Sequence, residues 1–79
     1  MKQIIVIERG WVVVGNCVAK RGFLDITEGS VIRHWGTERG LGQLAIEGPT
    51  KTTVLEPTGH IIVPMTSVIM RIDVTAKGF

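Results

Sequence analysis

Residues 3–27 read QIIVIERGWVVVGNCVAKRGFLDIT, and the pattern of this stretch decides the fold. Three runs within it are rich in β-branched residues, as β-strands are. The runs are residues 3–7, 11–20 and 23–27, joined by residues 8–10 and 21–22. Such short joints favour antiparallel hairpins. Gly15 interrupts the second run and predicts a bulge that bends the strand. We therefore expect a meander of three strands in a curled sheet.

A further extended piece and one helix follow. Residues 30–35, SVIRHW, alternate so that Val31, Arg33 and Trp35 share one face. Apolar residues then recur at the spacing of a helix, at Leu41, Leu44 and Ala45, before Gly48 and Pro49. Glycine just past the last periodic residue, with proline after it, favours a stop. The sequence predicts one short helix at about residues 40–47, which must dock on other structure because two turns are unstable alone.

The last third of the chain predicts more strands. Residues 52–57 and 60–64 read as a hairpin around a tight turn at Thr58-Gly59, which Pro57 favours. Residues 68–74 alternate like a half-buried closing strand. Its buried side is expected to carry Val68, Met70, Ile72 and Val74. The ending VPMTSVIMRIDV resembles the last two strands of a small Sm-like or Src-homology-type barrel.

Together these patterns predict a mainly β, single domain over residues 1–79. Its form is a small curled antiparallel sheet, or an Sm-like or Src-homology-type barrel, with the one short helix. A chain this short buries only about 60 to 65% of its unfolded surface. Cys17 is the only cysteine, so no internal disulfide can form, and it is expected to be a structural thiol. Because 44% of the residues are hydrophobic, we expect a homo-oligomer to cover the excess.

Charge and hydropathy give no support to two classes of partner, nucleic acids and membranes. Nine Lys and Arg against seven Asp and Glu give a net charge of +2, dispersed along the chain. This balance does not indicate nucleic acid. Apolar runs reach only four residues, as in residues 4–7, which predicts neither a membrane span nor a signal peptide. The expected location is the cytoplasm.

Residues 33–49, RHWGTERGLGQLAIEGP, contain the best candidate binding site. They concentrate planar, cationic and hydrogen-bonding side chains, which suit a planar anionic ligand such as a nucleotide. The predicted ligand-binding residues are Arg33, Trp35, Thr37, Arg39 and Gln43, with Trp11, Lys51 and Thr52 as a possible second wall. The alternative is that Trp35 fills a core, since most tryptophans are largely buried.

Catalysis finds little support in the sequence. His34 and His60 are the only candidates for a general base near neutral pH, and neither has a serine or cysteine beside it. The acidic residues occur singly, and no His and Cys cluster has metal-ligand spacing. Gly36, Gly40 and Gly42 match no phosphate-binding fingerprint, so a tight strand-to-helix turn is the simpler interpretation. We expect a protein that is not an enzyme and uses no cofactor or metal.

Several features together resemble a family of small proteins encoded by phages and prophages. They are residues 4–6, Val14-Gly15, residues 31–33, Trp35-Gly36, Leu41, Leu44-Ala45, Gly48 and Val68-Ile69, with a W-G…L-x-x-L-A-x-x-G motif at the centre. The resemblance implies a phage setting and the host cytoplasm. Small β-rich oligomers in that setting resemble sponges that sequester nucleotide immune signals before host defence responds.

The leading hypothesis is therefore a homo-oligomeric sponge for a cyclic dinucleotide or an ADP-ribose derivative. The base would stack on Trp35, and phosphates would pair with Arg33 and Arg39. Two rivals remain open. One is a protein-interaction or structural module that acts on a host protein through an exposed apolar patch. The other is a small-barrel nucleic-acid binder that would also use Lys51, against which the weak net charge counts.

Overall fold

The computed structural model describes residues 1–79 as one open antiparallel sheet with a short helix. The strands are β1 (Lys2–Ile7), β2 (Trp11–Lys20), β3 (Phe23–His34), β4 (Val54–Pro64) and β5 (Val68–Asp73), and the helix α1 is Leu41–Glu47. Single 3-10 turns, Glu8–Gly10 and Met65–Ser67, connect β1 to β2 and β4 to β5. The strand order is β4-β3-β2-β1-β5, with β4 and β5 at the two edges. The mainly β prediction, the meander and the short helix are confirmed, and the sheet is not closed.

The predicted bulge at Gly15 is present. The register between β2 and β3 shifts between Val14 and Asn16. A Cβ added at Gly15 would lie 2.6 Å from Cγ2 of Ile26 and 2.9 Å from the carbonyl oxygen of Thr27. Because β2 and β3 lie too close together here for any Cβ at position 15, only glycine fits. The missing side chain lets the two strands approach closely, and the sheet bends at this point.

The predicted hairpin at Thr58-Gly59 is wrong, because the chain does not reverse there. Residues 54–64 form one continuous strand, and β3 likewise continues through residues 27–29. The two strands are irregular at the same place, where Gly29 lies opposite Gly59. A Cβ on Gly29 would be 2.9 Å from the carbonyl oxygen of Gly59, which has a φ of +81°. The local turn signal therefore produces a matched pair of bulges rather than a turn.

Alternating side chains place two hydrophobic cores on opposite faces of the sheet. The first core contains Ile4, Val12, Val14 and Ile32 with Leu44 and Ala45 of α1. The second contains Ile5, Val13, Cys17, Leu24, Ile26 and Val63. Ile5 lies in β1 and Val63 in β4, and two strands separate them in the sheet. They can share a core only because the sheet curls around this second side, which we call the inner face.

The prediction for β5 holds for only part of the strand. Ile72 and Val74 pack against the first core, as expected. Val68 packs instead against the second core, and Met70 is 52% exposed. The register with β1 shifts between Val6 and Ile7, and a one-residue shift turns the following side chains to the other face.

The two ends of the chain meet across the β1 and β5 pair. Gln3 is buried, and its Nε2 donates a hydrogen bond of 2.8 Å to Oδ1 of Asp73. Its Oε1 accepts hydrogen bonds of 3.0 and 2.9 Å from Nε and Nη2 of Arg71. These contacts satisfy the one buried polar side chain of the sheet.

The helix is held by its apolar stripe and by the chain after β5. Leu44 and Ala45 are buried, and Gly48 ends the helix at a φ of +89° with its N–H donating to the carbonyl of Leu44. The N–H groups of Thr75 and Ala76 both donate to the carbonyl oxygen of Ala45, at 2.9 and 3.1 Å. No helix in the chain has the length and apolar character needed to cross a bilayer.

Candidate functional site

An open cleft of about 600 Å³ lies where β3 ends and the chain turns toward α1. We call it the Trp35 cleft, and its lining consists of Arg33, His34, Trp35, Gly36, Thr37, Glu38 and Thr52. Six of these residues come from one continuous stretch, and Thr52 comes from the turn before β4. Trp35 is the only hydrophobic residue of the lining, so the cleft offers one aromatic surface among polar groups.

Three threonines fix the backbone of the cleft. Oγ1 of Thr53 donates to the carbonyl oxygen of Trp35 at 2.6 Å. The hydroxyls of Thr50 and Thr52 donate to the carbonyl oxygen of Gly36 at 2.7 and 3.3 Å. Gly36 has a φ of +69°, and an added Cβ would lie 2.5 Å from the backbone nitrogen of Thr53. A glycine is therefore required for residues 50–53, the threonine clamp, to reach the chain that carries Trp35.

Trp35 is a surface residue rather than a core residue. Its side chain is 41% exposed, and it belongs to neither hydrophobic core. One side of the ring is near Gly40, where an added Cβ would lie 3.7 Å from Cζ3. Trp35 thus lines the cleft with a partly exposed ring, which is the feature that stacking of a planar ligand requires.

Arg33 is the cation of the cleft. It is exposed, and its guanidinium forms no salt bridge and no hydrogen bond within the chain. Alternation along β3 places it on the inner face together with Val31, which packs against the second core. A guanidinium without a carboxylate partner can offer all of its donors to a phosphate or carboxylate of a ligand.

Two other predicted site residues, Arg39 and Gln43, form contacts with each other and with the end of α1 instead. Nη2 of Arg39 lies 2.5 Å from Oε2 of Glu47, and the backbone N–H of Arg39 donates to Oε1 of Gln43 at 2.9 Å. Neither Arg39 nor Gln43 is part of the cleft lining. Thr37 does line the cleft, and its hydroxyl donates to the carbonyl oxygen of Gly40 at 2.7 Å.

The three residues predicted as a possible second wall do not lie together in the structure. Thr52 lines the Trp35 cleft, whereas Lys51 is exposed outside it. Trp11 lies in a neighbouring groove of about 320 Å³, which we call the Trp11 groove and which also contains Arg9 and Arg33. Arg33 therefore borders both concavities.

His34, whose side chain also suits a planar anionic ligand but which is not among the predicted ligand-binding residues, lines the cleft, and so does Glu38, which was not considered for binding. Strict alternation along β3 places His34 opposite Arg33, but the strand ends at His34 and alternation no longer applies beyond it. Glu38 gave no signal beyond its place between two other candidate residues. The threonine clamp was also missed, because its hydrogen bonds join residues 14 to 18 positions apart.

Of the side chains considered for catalysis, His34 and Glu38 line the cleft, whereas His60 and Cys17 lie elsewhere. His60 pairs through Nε2 with Oδ1 of Asp25 on neighbouring strands of the sheet. Cys17 is buried in the second core, where burial raises the pKa of its thiol. No group of three or more His, Cys, Asp or Glu side chains is placed to hold a metal ion.

The Trp35 cleft therefore combines one exposed aromatic ring, one unpaired guanidinium and a fixed backbone. The resemblance to phage proteins stays a prediction. No protein-family model matches the chain, and no curated protein is significantly similar to it.

Proposed function

We propose that this protein binds a nucleotide-derived small molecule in the Trp35 cleft. The observation that carries the proposal is the pairing of a half-exposed indole with the unpaired Arg33 guanidinium in one cleft. A base would stack on Trp35, and a phosphate would accept hydrogen bonds from Arg33. Stacking of a base on an aromatic side chain contributes about 1 to 3 kcal/mol, and a charge-assisted hydrogen bond adds to it.

The rigidity of the cleft supports this function. The threonine clamp holds the carbonyls of Trp35 and Gly36 before any ligand arrives. A platform that is already in place loses less conformational entropy on binding, which favours affinity. Thr37 and Thr52 donate their hydroxyl protons to Gly40 and Gly36, so their oxygens remain as acceptors for N–H or O–H groups of a base or sugar.

Binding without turnover corresponds to sequestration. We therefore propose, as the biological role, a sponge that removes a nucleotide immune signal such as a cyclic dinucleotide or an ADP-ribose derivative, in the cytoplasm of a phage-infected host. A homo-oligomer is part of this proposal. The two open edges of the sheet support it, because β4 and β5 have unpaired backbone groups and expose Ile62, Ile69 and Met70.

The test is a calorimetric titration of the purified protein with cyclic di-AMP, ADP-ribose and AMP. We expect at least one of the three to bind, and Trp35→Ala or Arg33→Gln to weaken that binding at least tenfold. Arg21→Gln, in the turn between β2 and β3, is the matched control for Arg33→Gln. It removes the same charge from an exposed position outside the cleft, so it should change the affinity less than twofold.

Two outcomes would contradict the proposal. One is the absence of heat with all three nucleotides, and the other is normal binding by both cleft variants. Circular dichroism and size-exclusion chromatography of each variant show whether fold and assembly are intact. A lost signal in a correctly folded, correctly assembled variant is then attributable to the cleft.

An apolar groove favours protein interaction as the second candidate function. About 380 Å³ in volume, it lies between β1, β2 and β4 and includes Ile7, Val13, Ile61, Ile62 and Val63. Exposed apolar concavities of this kind commonly mark contact sites for other chains. This candidate gains weight if none of the nucleotides binds, and Ile62→Lys would then be expected to abolish association with the partner.

A further inference from the structure

The chain contains only two tryptophans, and both border concavities that share Arg33. Trp35 lines the Trp35 cleft, and Trp11 lines the Trp11 groove. Trp11 is 53% exposed and belongs to neither hydrophobic core. The molecule thus presents two aromatic surfaces, with one guanidinium common to both neighbourhoods.

The register of the sheet explains why Trp11 and Arg33 are neighbours. Val13 of β2 lies opposite Val31 of β3. Because the two strands are antiparallel, the residue two before Val13 and the residue two after Val31 lie next to each other on the same face. These residues are Trp11 and Arg33. Adjacent strands are about 4.8 Å apart, and two residues of extended chain advance about 6.6 Å. Trp35 lies beyond the end of β3, and it is related to Trp11 by the Trp35 cleft and the Trp11 groove, which share Arg33. Arg33 therefore stands between the two aromatic side chains.

A second cation accompanies Trp11. Arg9 lines the Trp11 groove and forms no salt bridge or hydrogen bond within the chain. Its backbone has a φ of +67°, in the left-handed region, where a non-glycine residue carries strain. This conformation is held in the 3-10 turn that leads directly into Trp11. Each aromatic surface therefore has a free guanidinium beside it, and Arg33 lies between the two.

A mononucleotide has one base and would leave one tryptophan unused. A dinucleotide has two bases on either side of a phosphodiester, which matches an aromatic, cationic, aromatic order. We infer that the site takes a dinucleotide, with one base on Trp35, the other on Trp11 and a bridging phosphate on Arg33. This inference rests on the proposed function and narrows its ligand class.

The surroundings of the two tryptophans limit the ligand to about the length of a dinucleotide. Beside Trp11, the same face continues into the apolar groove with Ile7, Val13 and Ile61, whose lining contains no Lys or Arg to pair with a phosphate. At the other end, Glu38 lines the Trp35 cleft and repels a further phosphate. A long single strand needs a continuous cationic track. Arg71 also lies on the inner face, opposite Ile5, but it donates to Oε1 of Gln3 and does not extend the pair formed by Arg9 and Arg33.

Intrinsic fluorescence can report each platform separately, because the chain has two tryptophans and no tyrosine. In Trp11→Phe only Trp35 emits, and in Trp35→Phe only Trp11 emits. Phenylalanine keeps an aromatic ring at each replaced position. We expect cyclic di-AMP to quench the emission of both variants with similar half-saturation, whereas AMP quenches Trp35 more strongly than Trp11.

Affinities complete the test. By calorimetry, cyclic di-AMP or the linear dinucleotide pApA should bind at least tenfold more tightly than AMP. Trp11→Ala should weaken dinucleotide binding about tenfold or more and leave AMP within twofold. Val18→Ala, which truncates an exposed apolar side chain elsewhere on β2, is the control and should change neither affinity.

The outcomes separate this inference from the proposed function. If AMP binds as tightly as both dinucleotides and Trp11→Ala has no effect, the inference is overturned while the function stands. If no nucleotide binds, both fail. If a 12-residue oligo-dA binds more tightly than either dinucleotide, with affinity that falls steeply with salt, the inference is overturned in favour of a single-strand binder.

Discussion

Replacing Gly36 by alanine should unfold the candidate cleft and lower the stability of the whole domain. The new Cβ would lie 2.5 Å from the backbone nitrogen of Thr53 and 2.6 Å from the carbonyl carbon of Thr52. Both are backbone atoms, so the clash cannot be relieved by a change of rotamer. The threonine clamp would have to move away from the chain that carries Trp35.

The magnitude follows from two contributions. A left-handed backbone conformation costs an alanine roughly 1 to 2 kcal/mol more than a glycine. Displacing the clamp also removes three exposed hydrogen bonds to the carbonyls of Trp35 and Gly36, each worth about 0.5 kcal/mol at the low end of the usual range. We therefore expect a loss of about 3 kcal/mol, which lowers Tm by roughly 12 to 24 °C in a domain of this size.

Urea and thermal unfolding, followed by circular dichroism, measure this loss. Gly42→Ala is the matched control, because an added Cβ in α1 meets no atom within 4 Å. It should stabilise the protein by roughly 0.5 to 1 kcal/mol, as expected for an exposed helical glycine. Equal stability of Gly36→Ala and the parent protein would refute the description of the clamp.

Three further changes test other parts of the structure. Leu44→Ala should cost about 2 to 5 kcal/mol in urea unfolding, because Leu44 is fully buried, whereas Ile46→Ala on the exposed side of the same helix should cost far less. Arg39→Ala should reduce nucleotide affinity less than threefold in calorimetry, since its guanidinium pairs with Glu47; a loss as large as that of a cleft variant would place Arg39 in the site. Burial raises the pKa of the Cys17 thiol above its ordinary value of 9.0, so the folded protein keeps that proton to higher pH than the unfolded chain. The contribution of Cys17 to stability should therefore be constant below that value and be lost as the pH rises above it, so Cys17→Ala should show a shallower decline at alkaline pH in urea unfolding.

The strand pattern of the sequence predicts most of the sheet, because β-branched runs and short joints are local signals. The bulge at Gly15 and the stop at Gly48 are local in the same sense. The continuous β4 could not be predicted this way. The sequence Pro57-Thr58-Gly59 is equally typical of a chain reversal and of a bulge within a strand. Which of the two forms depends on Gly29 in the neighbouring strand.

The candidate site was predicted in outline from the chemistry of its residues. Arg33 and Trp35 lie in one cleft because the chain from residue 33 to residue 38 forms most of its lining, so residues close in sequence are close in space. The ion pair of Arg39 with Glu47 and the clamp on Trp35 depend on how α1 and residues 50–53 pack, which no local pattern contains. Exposure of a tryptophan is likewise a tertiary property.

The contact between β1 and β5 has a consequence for synthesis on the ribosome. Gln3 pairs with Asp73, so one side of the first strand has no partner until nearly the whole chain has emerged. At about 5 to 20 residues per second, that edge stays open for roughly 4 to 14 seconds. During this interval the apolar strand around Ile4 and Ile5 can pair with other nascent chains. Faster translation, or a chaperone that shields the early strand, should therefore raise the yield of native protein more than any change near the cleft.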